Sequence, residues 1–535
     1  MIDRSLSRRT LLGGTAMALV LAGLPRGARA QAPQRTGRLV VAAESEPRSL
    51  NPAIVASNGV FFVASKVVEQ LAEADFDGPD GLRPLLATDW EGSPDGLSAT
   101  FRLRDGVTWH DGTPFTSADV AFSAMQVWKP LQNIGRSLLT NLEAVETPDE
   151  RTAVFRFSAP MPFQLLRNAL PVISHVLPRH VFEGTDIAAN PASIAPVGTG
   201  PFRFVEHRPG EFYRLARNED YWGEGPWVDD LLYRVLPDRA AAAGALEAGE
   251  VALAAFSMVP LADLDRIGRV PGLNVHPEGY EALTYQLVIE INHRNPILAD
   301  PRVRQAISHA IDRDFVVDTV FLGFAKASVG PVPRYDTQFL DTALEVPAFD
   351  VARANALLDE AGHSRGSGGT RFSLRLLPAP FFNETRQFGA YLRQALAAVG
   401  IDAQIVNNDN AGHIRQVYTD RDFDITVSPP VYRGDPSIST TILVESGIPA
   451  GVPFANQGGY EDPEMDAIIA AGRTTVDEAE RVAVFRRFQQ KVVTDLPLIN
   501  VAEWGFVSVA SETLRNGHNN PRWAVSNWHD LWVDG

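Results

Sequence analysis

Early in the chain the apolar positions recur with a period of two. Residues 39–43 (LVVAA) form a short apolar run, and residues 100–104 (TFRLR) and 153–157 (AVFRF) alternate as half-exposed strands do. The first third is therefore expected to be strand-rich. Helical periodicity takes over later. Asp300-Pro301 caps and starts a predicted helix that places Val303, Ala306, Ile307, Ala310 and Ile311 on one face. A second predicted helix runs from an Asp350 cap through Val351, Ala354, Leu357, Leu358 and Ala361 to Gly362, a left-handed stop. Phe372, Leu374 and Leu376 then alternate as a strand, residues 385–399 read as a helix closed by Gly400, and residues 401–406 alternate again. Strand, helix, glycine stop and strand in this order predict a βαβ unit with a parallel, right-handed crossover. The later part of the chain is thus α/β.

Length and composition bound the answer. A chain of 535 residues with 45% hydrophobic content exceeds one average domain and can bury a large core, so two or three lobes are expected. The formal charge of −17 comes with no basic stretch beyond the N-terminus, which argues against nucleic-acid partners. Absence of cysteine excludes disulfides, thiolate ligands and thiol nucleophiles. At the N-terminus, Ser7-Arg8-Arg9-Thr10-Leu11-Leu12 sets an arginine pair before a short apolar run, and Ala28-Arg29-Ala30 supplies small residues at a cleavage site. Residues 1–30 therefore read as a twin-arginine export signal to the periplasm, with an ordinary secretory leader as the alternative. Without a lipidation cysteine or a further apolar span, the mature chain is expected to be soluble and monomeric.

Several blocks carry a resemblance. The first comprises Pro84-Leu85-Leu86-Ala87-Thr88-Asp89-Trp90, Ser93-Pro94-Asp95-Gly96, residues 101–112 (FRLRDGVTWHDG) and residues 114–120 (PFTSADV). Its physical reading is a hairpin turning at Asp95-Gly96 and Asp111-Gly112, then a helix whose Thr116 and Asp119 have capping-box spacing. The second joins residues 196–202 (PVGTGPF) to Arg217-Asn218-Glu219-Asp220-Tyr221-Trp222, and its glycines suit a tight turn better than a phosphate cradle. The third and fourth, residues 292–306 and 357–362, fall on or beside the two helices already read. In this order and over nearly the whole mature chain, the blocks resemble the periplasmic dipeptide-, oligopeptide-, opine- and nickel-binding proteins.

The resemblance implies an α/β, two-lobed periplasmic-binding-protein clamshell with an extra subdomain inserted in the first lobe. Lobe I is expected from residues 31–74, 195–279 and 500–535, the insert from 75–194, and lobe II from 280–499. A small-molecule ligand, a peptide, opine or related anionic solute, would lie between the lobes. The partner would be an inner-membrane ABC permease with a cytoplasmic ATPase. In peptide-binding relatives an aspartate after the last βαβ unit pairs with the peptide α-amino group. Here that segment, residues 424–436 (DITVSPPVYRGDP), brings Tyr432 or Arg433 to the position instead. A guanidinium there repels an ammonium and attracts a carboxylate or phosphate, unless Arg433 points to solvent or pairs with Asp435. Arg386, at a helix start behind Phe381-Phe382, matches a region where relatives carry a carboxylate-binding arginine. Asn58 and Phe61 are the first-lobe candidates, and Trp504 is a candidate cleft aromatic.

The rival chemistry is weak. Gly362-His363-Ser364-Arg365-Gly366 fits the G-x-S-x-G nucleophile pattern of a secreted hydrolase, but a predicted helix precedes it where a strand is needed. The histidines show no metal-ligand spacing, which leaves a nickel or haem site from distant residues as an alternative. No cofactor, metal site or enzymatic activity is expected.

Overall fold

The computed structural model describes residues 35–534. The export signal expected at residues 1–30 lies outside them. Two large sheets, each wrapped by its own helices, form two lobes. The first has seven strands in the order Leu273–His276, Ser508–Ser511, Leu253–Ala254, Thr36–Ala43, Val228–Val235, Phe212–Arg217, Phe202–Arg208. The second has six, in the order Ala325–Ala327, Leu498–Trp504, Tyr285–Ile291, Ile425–Ser428, Phe372–Pro378, Ile401–Ile405. A separate four-stranded antiparallel sheet, Ala87–Gly92, Ser98–Leu103, Thr152–Phe157 and Leu142–Asp149, sits on the first lobe and shares its core.

The periodicities translate directly. Asp300 accepts from the Arg302 amide to cap Pro301–His309, and Asp350 caps Val351–Glu360, which stops at Gly362 with φ +86°. Asn383–Ala398 links Phe372–Pro378 to Ile401–Ile405, and these two strands pair in parallel, completing the expected βαβ unit. Tyr285–Ile291 shows no clean alternation because both of its faces are covered. Leu287, Ile289 and Ile291 face one apolar cluster and Val288 faces another.

The chain crosses between lobes at 277–284 and again at 505–507. The second crossing was expected at 500. It falls later because Leu498–Trp504 is wholly paired into the second sheet and Ser508 is the first residue back in the first sheet. The hairpin turns at Gly96 and Gly112 have the expected positive φ, and the Asp119 carboxylate accepts from the Thr116 amide at 2.9 Å.

The glycines of the second motif block serve close packing. Gly198 and Gly200 lie directly on the backbone carbonyls of Val67 and Lys66, so protein fills the space a phosphate would need. Nearby, the buried Glu69 carboxylate accepts from Thr199 Oγ1, Tyr221 Oη, Trp222 Nε1 and Asn527 Nδ2 at 2.9 to 3.0 Å. Burial pushes its pKa up to about 7 despite these four donors. The block is a scaffold that ties the C-terminal segment to the first lobe.

Candidate functional site

Three of the predicted residues, Asn58, Phe382 and Trp504, come together where the two lobes meet. From the first lobe, Ser57 caps the helix Asn58–Ala64. Asn58 at its start donates to Tyr285 Oη of the second lobe at 3.3 Å. Tyr285 packs against Phe382, Trp504 and Phe506 with ring centroids 5.1 to 5.5 Å apart, so Asn58, Phe382 and Trp504 converge on one aromatic patch beside the crossing segment. An adjoining narrow crevice is lined by Phe256, Phe321, Phe382, Trp504 and Phe506, with Arg239 and Glu384 among the polar lining.

Phe61, one turn further along its helix, is buried and stacks on His175 at 5.3 Å. Both line a second narrow crevice together with Ser65, Gln70, Glu73 and Arg522. Arg522 is the residue that sequence reasoning missed. It is buried, donates to the Pro171 carbonyl, lies over the Phe61 ring, and leaves its Nε without a partner. Burial lowers its pKa to about 10, and the charge of Arg433 from the opposite lobe pushes in the same direction. Its only sequence signal was an arginine in a segment rich in tryptophan and asparagine, which does not mark a cleft.

Arg433 is half-buried, and its guanidinium donates only to the Val431 carbonyl, at 3.2 Å. No carboxylate forms an ion pair with Arg433 or Arg522 among the described residues. Burial lowers the basicity of Arg433 as well. Tyr335 acts on both guanidinium groups and stacks on Phe76 of the first lobe at 5.3 Å; the Gly434 amide lies toward its buried hydroxyl, whose proton has no acceptor among the described residues. Buried polar groups are nearly always hydrogen-bonded, so Arg522 Nε and Tyr335 Oη, beside an unpaired guanidinium, form a donor set suited to an oxyanion.

The alternative pairing of Arg433 with Asp435 does not occur. Asp435 is held by Arg481, at 2.7 and 2.8 Å, both side chains being 0% exposed. Tyr432 was expected in the cleft and is instead packed in the second lobe's core. Its ring meets Tyr335 edge-on and its hydroxyl donates to Asp336 at 2.5 Å. Arg386 is exposed and has no hydrogen-bond or ion-pair partner among the described residues. Phe381 turns from Phe382 toward Phe454 and His413, its ring meeting His413 edge-on at 5.5 Å.

His413 is fully buried, neither ring nitrogen has a partner, and burial lowers its pKa to about 4 from the ordinary 6.5. The folded state keeps this ring neutral while the unfolded chain protonates it below pH 6.5. Its contribution is thus complete above pH 6.5 and lost as pH falls through 4. His413→Phe should gain stability over the parent progressively between pH 6.5 and pH 4, by about 3 kcal/mol at the lower end. Urea denaturation across that range checks this, and parallel pH profiles would refute it.

Ser364 lies in an exposed loop after the helix Val351–Glu360, without the preceding strand a strained nucleophile turn requires. No group of three or more potential metal ligands occurs among the described residues.

Comparison with known proteins gives one consistent answer. The profile described as "Bacterial extracellular solute-binding proteins, family 5 Middle" matches residues 81–444. A putative ABC transporter peptide-binding protein of Brucella ovis is 29% identical over 438 residues, covering 80% of this chain and 78% of that one. The structure of the ABC transporter substrate-binding protein CtaP from Listeria monocytogenes superposes with a TM-score of 0.81 at 24% identity, covering 94% of this chain and 100% of that one. The PBP AgaA of A. tumefaciens R10, solved in complex with agropinic acid, has a TM-score of 0.74 at 25% identity, covering 93% of this chain and 99% of that one.

Proposed function

This chain belongs to the bacterial extracellular solute-binding proteins of family 5, and from that premise we propose how it selects its ligand. It is the extracytoplasmic substrate-binding component of an ABC importer, a transport protein of a non-enzymatic family. The proposed ligand is a peptide-like or opine-like solute carrying a carboxylate or comparable oxyanion. That anion is bound between Arg433 of the second lobe and Arg522 of the first, with Tyr335 Oη as a further donor. Asn58, Tyr285, Phe382 and Trp504 line the rest of the ligand, and Phe61 backs Arg522. Agropinic acid bound to AgaA is an acidic solute of this kind.

One observation carries the reading: Arg433 of one lobe lowers the basicity of Arg522 on the other, and neither guanidinium has an ion-pair partner among the described residues, Glu73 beside Arg522 being paired with Arg83. Without an anion their repulsion favours opening. An anion between them contacts both lobes only when they are closed, and that difference in affinity drives closure. Export through residues 1–30 by the twin-arginine route, action as a monomer, and delivery to an inner-membrane permease driven by a cytoplasmic ATPase complete the proposal.

Native mass spectrometry of the protein purified without refolding should reveal a co-purified solute with a carboxylate or phosphate. A charge-assisted hydrogen bond contributes about 1.5–3 kcal/mol, so Arg433→Ala should bind that solute about 10- to 150-fold more weakly by calorimetry. Undiminished affinity would remove Arg433 from the site. A retained cationic solute without an acidic group would overturn the anion reading.

A further inference from the structure

Asp435 stands two positions from Arg433 on a tight turn, with Gly434 between them at φ +81°. Ser439 ties the turn together, accepting from the Arg433 amide at 2.9 Å and donating to the Asp435 carbonyl at 2.7 Å. An aspartate so placed is the nearest candidate to neutralise the Arg433 guanidinium. It is kept from doing so. Arg481 Nη1 and Nη2 each donate to one of its carboxylate oxygens, at 2.8 and 2.7 Å. The guanidinium is itself clamped between the rings of Phe339 and Phe485, and its remaining hydrogens go to the Gly472 carbonyl, Ser437 Oγ and Gln164 Oε1.

We infer that Arg481 is a specificity-determining residue: by holding both carboxylate oxygens of Asp435, it leaves Arg433 free for the ligand's anion and so sets the charge preference of the cleft. Arg481 touches no ligand and acts through Asp435. The inference rests on the anion-binding reading of the cleft. The opposite lobe adds to the arrangement, because Gln164 accepts from Arg481 and Asn168 donates to Asp435 Oδ2 at 3.2 Å. Closure therefore completes the hydrogen bonding that fixes Asp435 as it brings Arg522 toward Arg433.

The test uses the mature protein and two probes, N-acetyl-alanyl-alanine, with a free carboxylate and no amine, and alanyl-alanine amide, with a free amine and no carboxylate. Calorimetric titration of the parent should detect the first and not the second. Arg433→Ala and Arg481→Met should both bind the acetylated probe at least tenfold more weakly than the parent. The pair Arg481→Met/Asp435→Asn should return to within about threefold of the parent, because asparagine cannot neutralise Arg433. Removing the orphaned buried charge would rescue a merely structural role as well, so binding is compared on protein shown to be fully folded by circular dichroism, where a merely structural role predicts no loss in Arg481→Met. Should Arg481→Met fail to fold, Arg481→Lys keeps the buried charge while holding one oxygen less securely, and a loss of several-fold is expected. A single variant that binds as the parent does, or a double variant as weak as the single, overturns the inference. If the parent ignores the acetylated probe, or if Arg433→Ala binds it undiminished, the anion reading fails first and takes this inference with it.

Discussion

Arg481→Met should lower the unfolding free energy by about 3–5 kcal/mol, the cost of leaving one member of a buried ion pair uncompensated. The two side chains are both 0% exposed, so Asp435 would keep its charge without solvent, retaining only the Ser437 amide at 2.9 Å and Asn168 Nδ2 at 3.2 Å. Methionine fills the slot between Phe339 and Phe485 with similar volume, which isolates the loss of charge from the loss of packing. Adding Asp435→Asn removes the orphaned charge and should recover at least half of the deficit. Urea denaturation of parent, single and double variants measures the cycle. A single variant within about 1 kcal/mol of the parent would mean that Asp435 finds another partner, and Arg433 is the guanidinium within easiest reach.

The candidate binding residues and those that build the scaffold differed in how far the chain itself announced them. Helices with capped starts and glycine stops, such as Pro301–His309 and Val351–Glu360, were legible because their signals are local. So was the parallel pairing of Phe372–Pro378 with Ile401–Ile405, since the order of strand, helix and stop leaves few topologies. The interlobe contacts were not. Gln164 and Asn168 stand one turn apart on the helix Phe163–Ile173 and both reach the second lobe, but i and i+4 spacing says only that two residues share a face. Arg522, 89 positions from Arg433 in the chain, comes within its electrostatic reach only because the crossing at 505–507 returns the C-terminal segment to the first lobe. Tyr432 was misplaced for a related reason. Neighbouring residues on an irregular segment have different surroundings, so the resemblance pointed to the segment but not to which of Tyr432 and Arg433 is buried in the second lobe's core.

Gly198→Ala should destabilise the protein by about 3 kcal/mol or more and weaken ligand binding at a distance. The new Cβ would lie 1.7 Å from the Val67 carbonyl oxygen and 2.5 Å from its carbon, both of them backbone atoms with no rotamer to change. Nor can the segment withdraw. Its far side is tied by the His110 amide to the Gly198 carbonyl at 2.8 Å, and the Gly200 amide donates to the same Val67 carbonyl at 2.9 Å. Relief requires moving residues 66–69, and two of these anchor the C-terminal segment: Lys66 Nζ donates to the Ala524 carbonyl at 2.8 Å, and Glu69 accepts from Asn527 Nδ2 at 2.9 Å. Arg522 lies two residues before Ala524, so the displacement reaches the cleft. Gly244→Ala is the control, since its Cβ would meet nothing within 4 Å and it sits inside the helix Arg239–Glu247. It should stabilise by roughly 0.5–1 kcal/mol. Urea unfolding together with calorimetry of the co-purified solute separates the outcomes. If Gly198→Ala unfolds earlier yet binds normally when folded, the scaffold does not reach Arg522, and the C-terminal segment keeps its place by the packing of Trp523 and Trp528 alone.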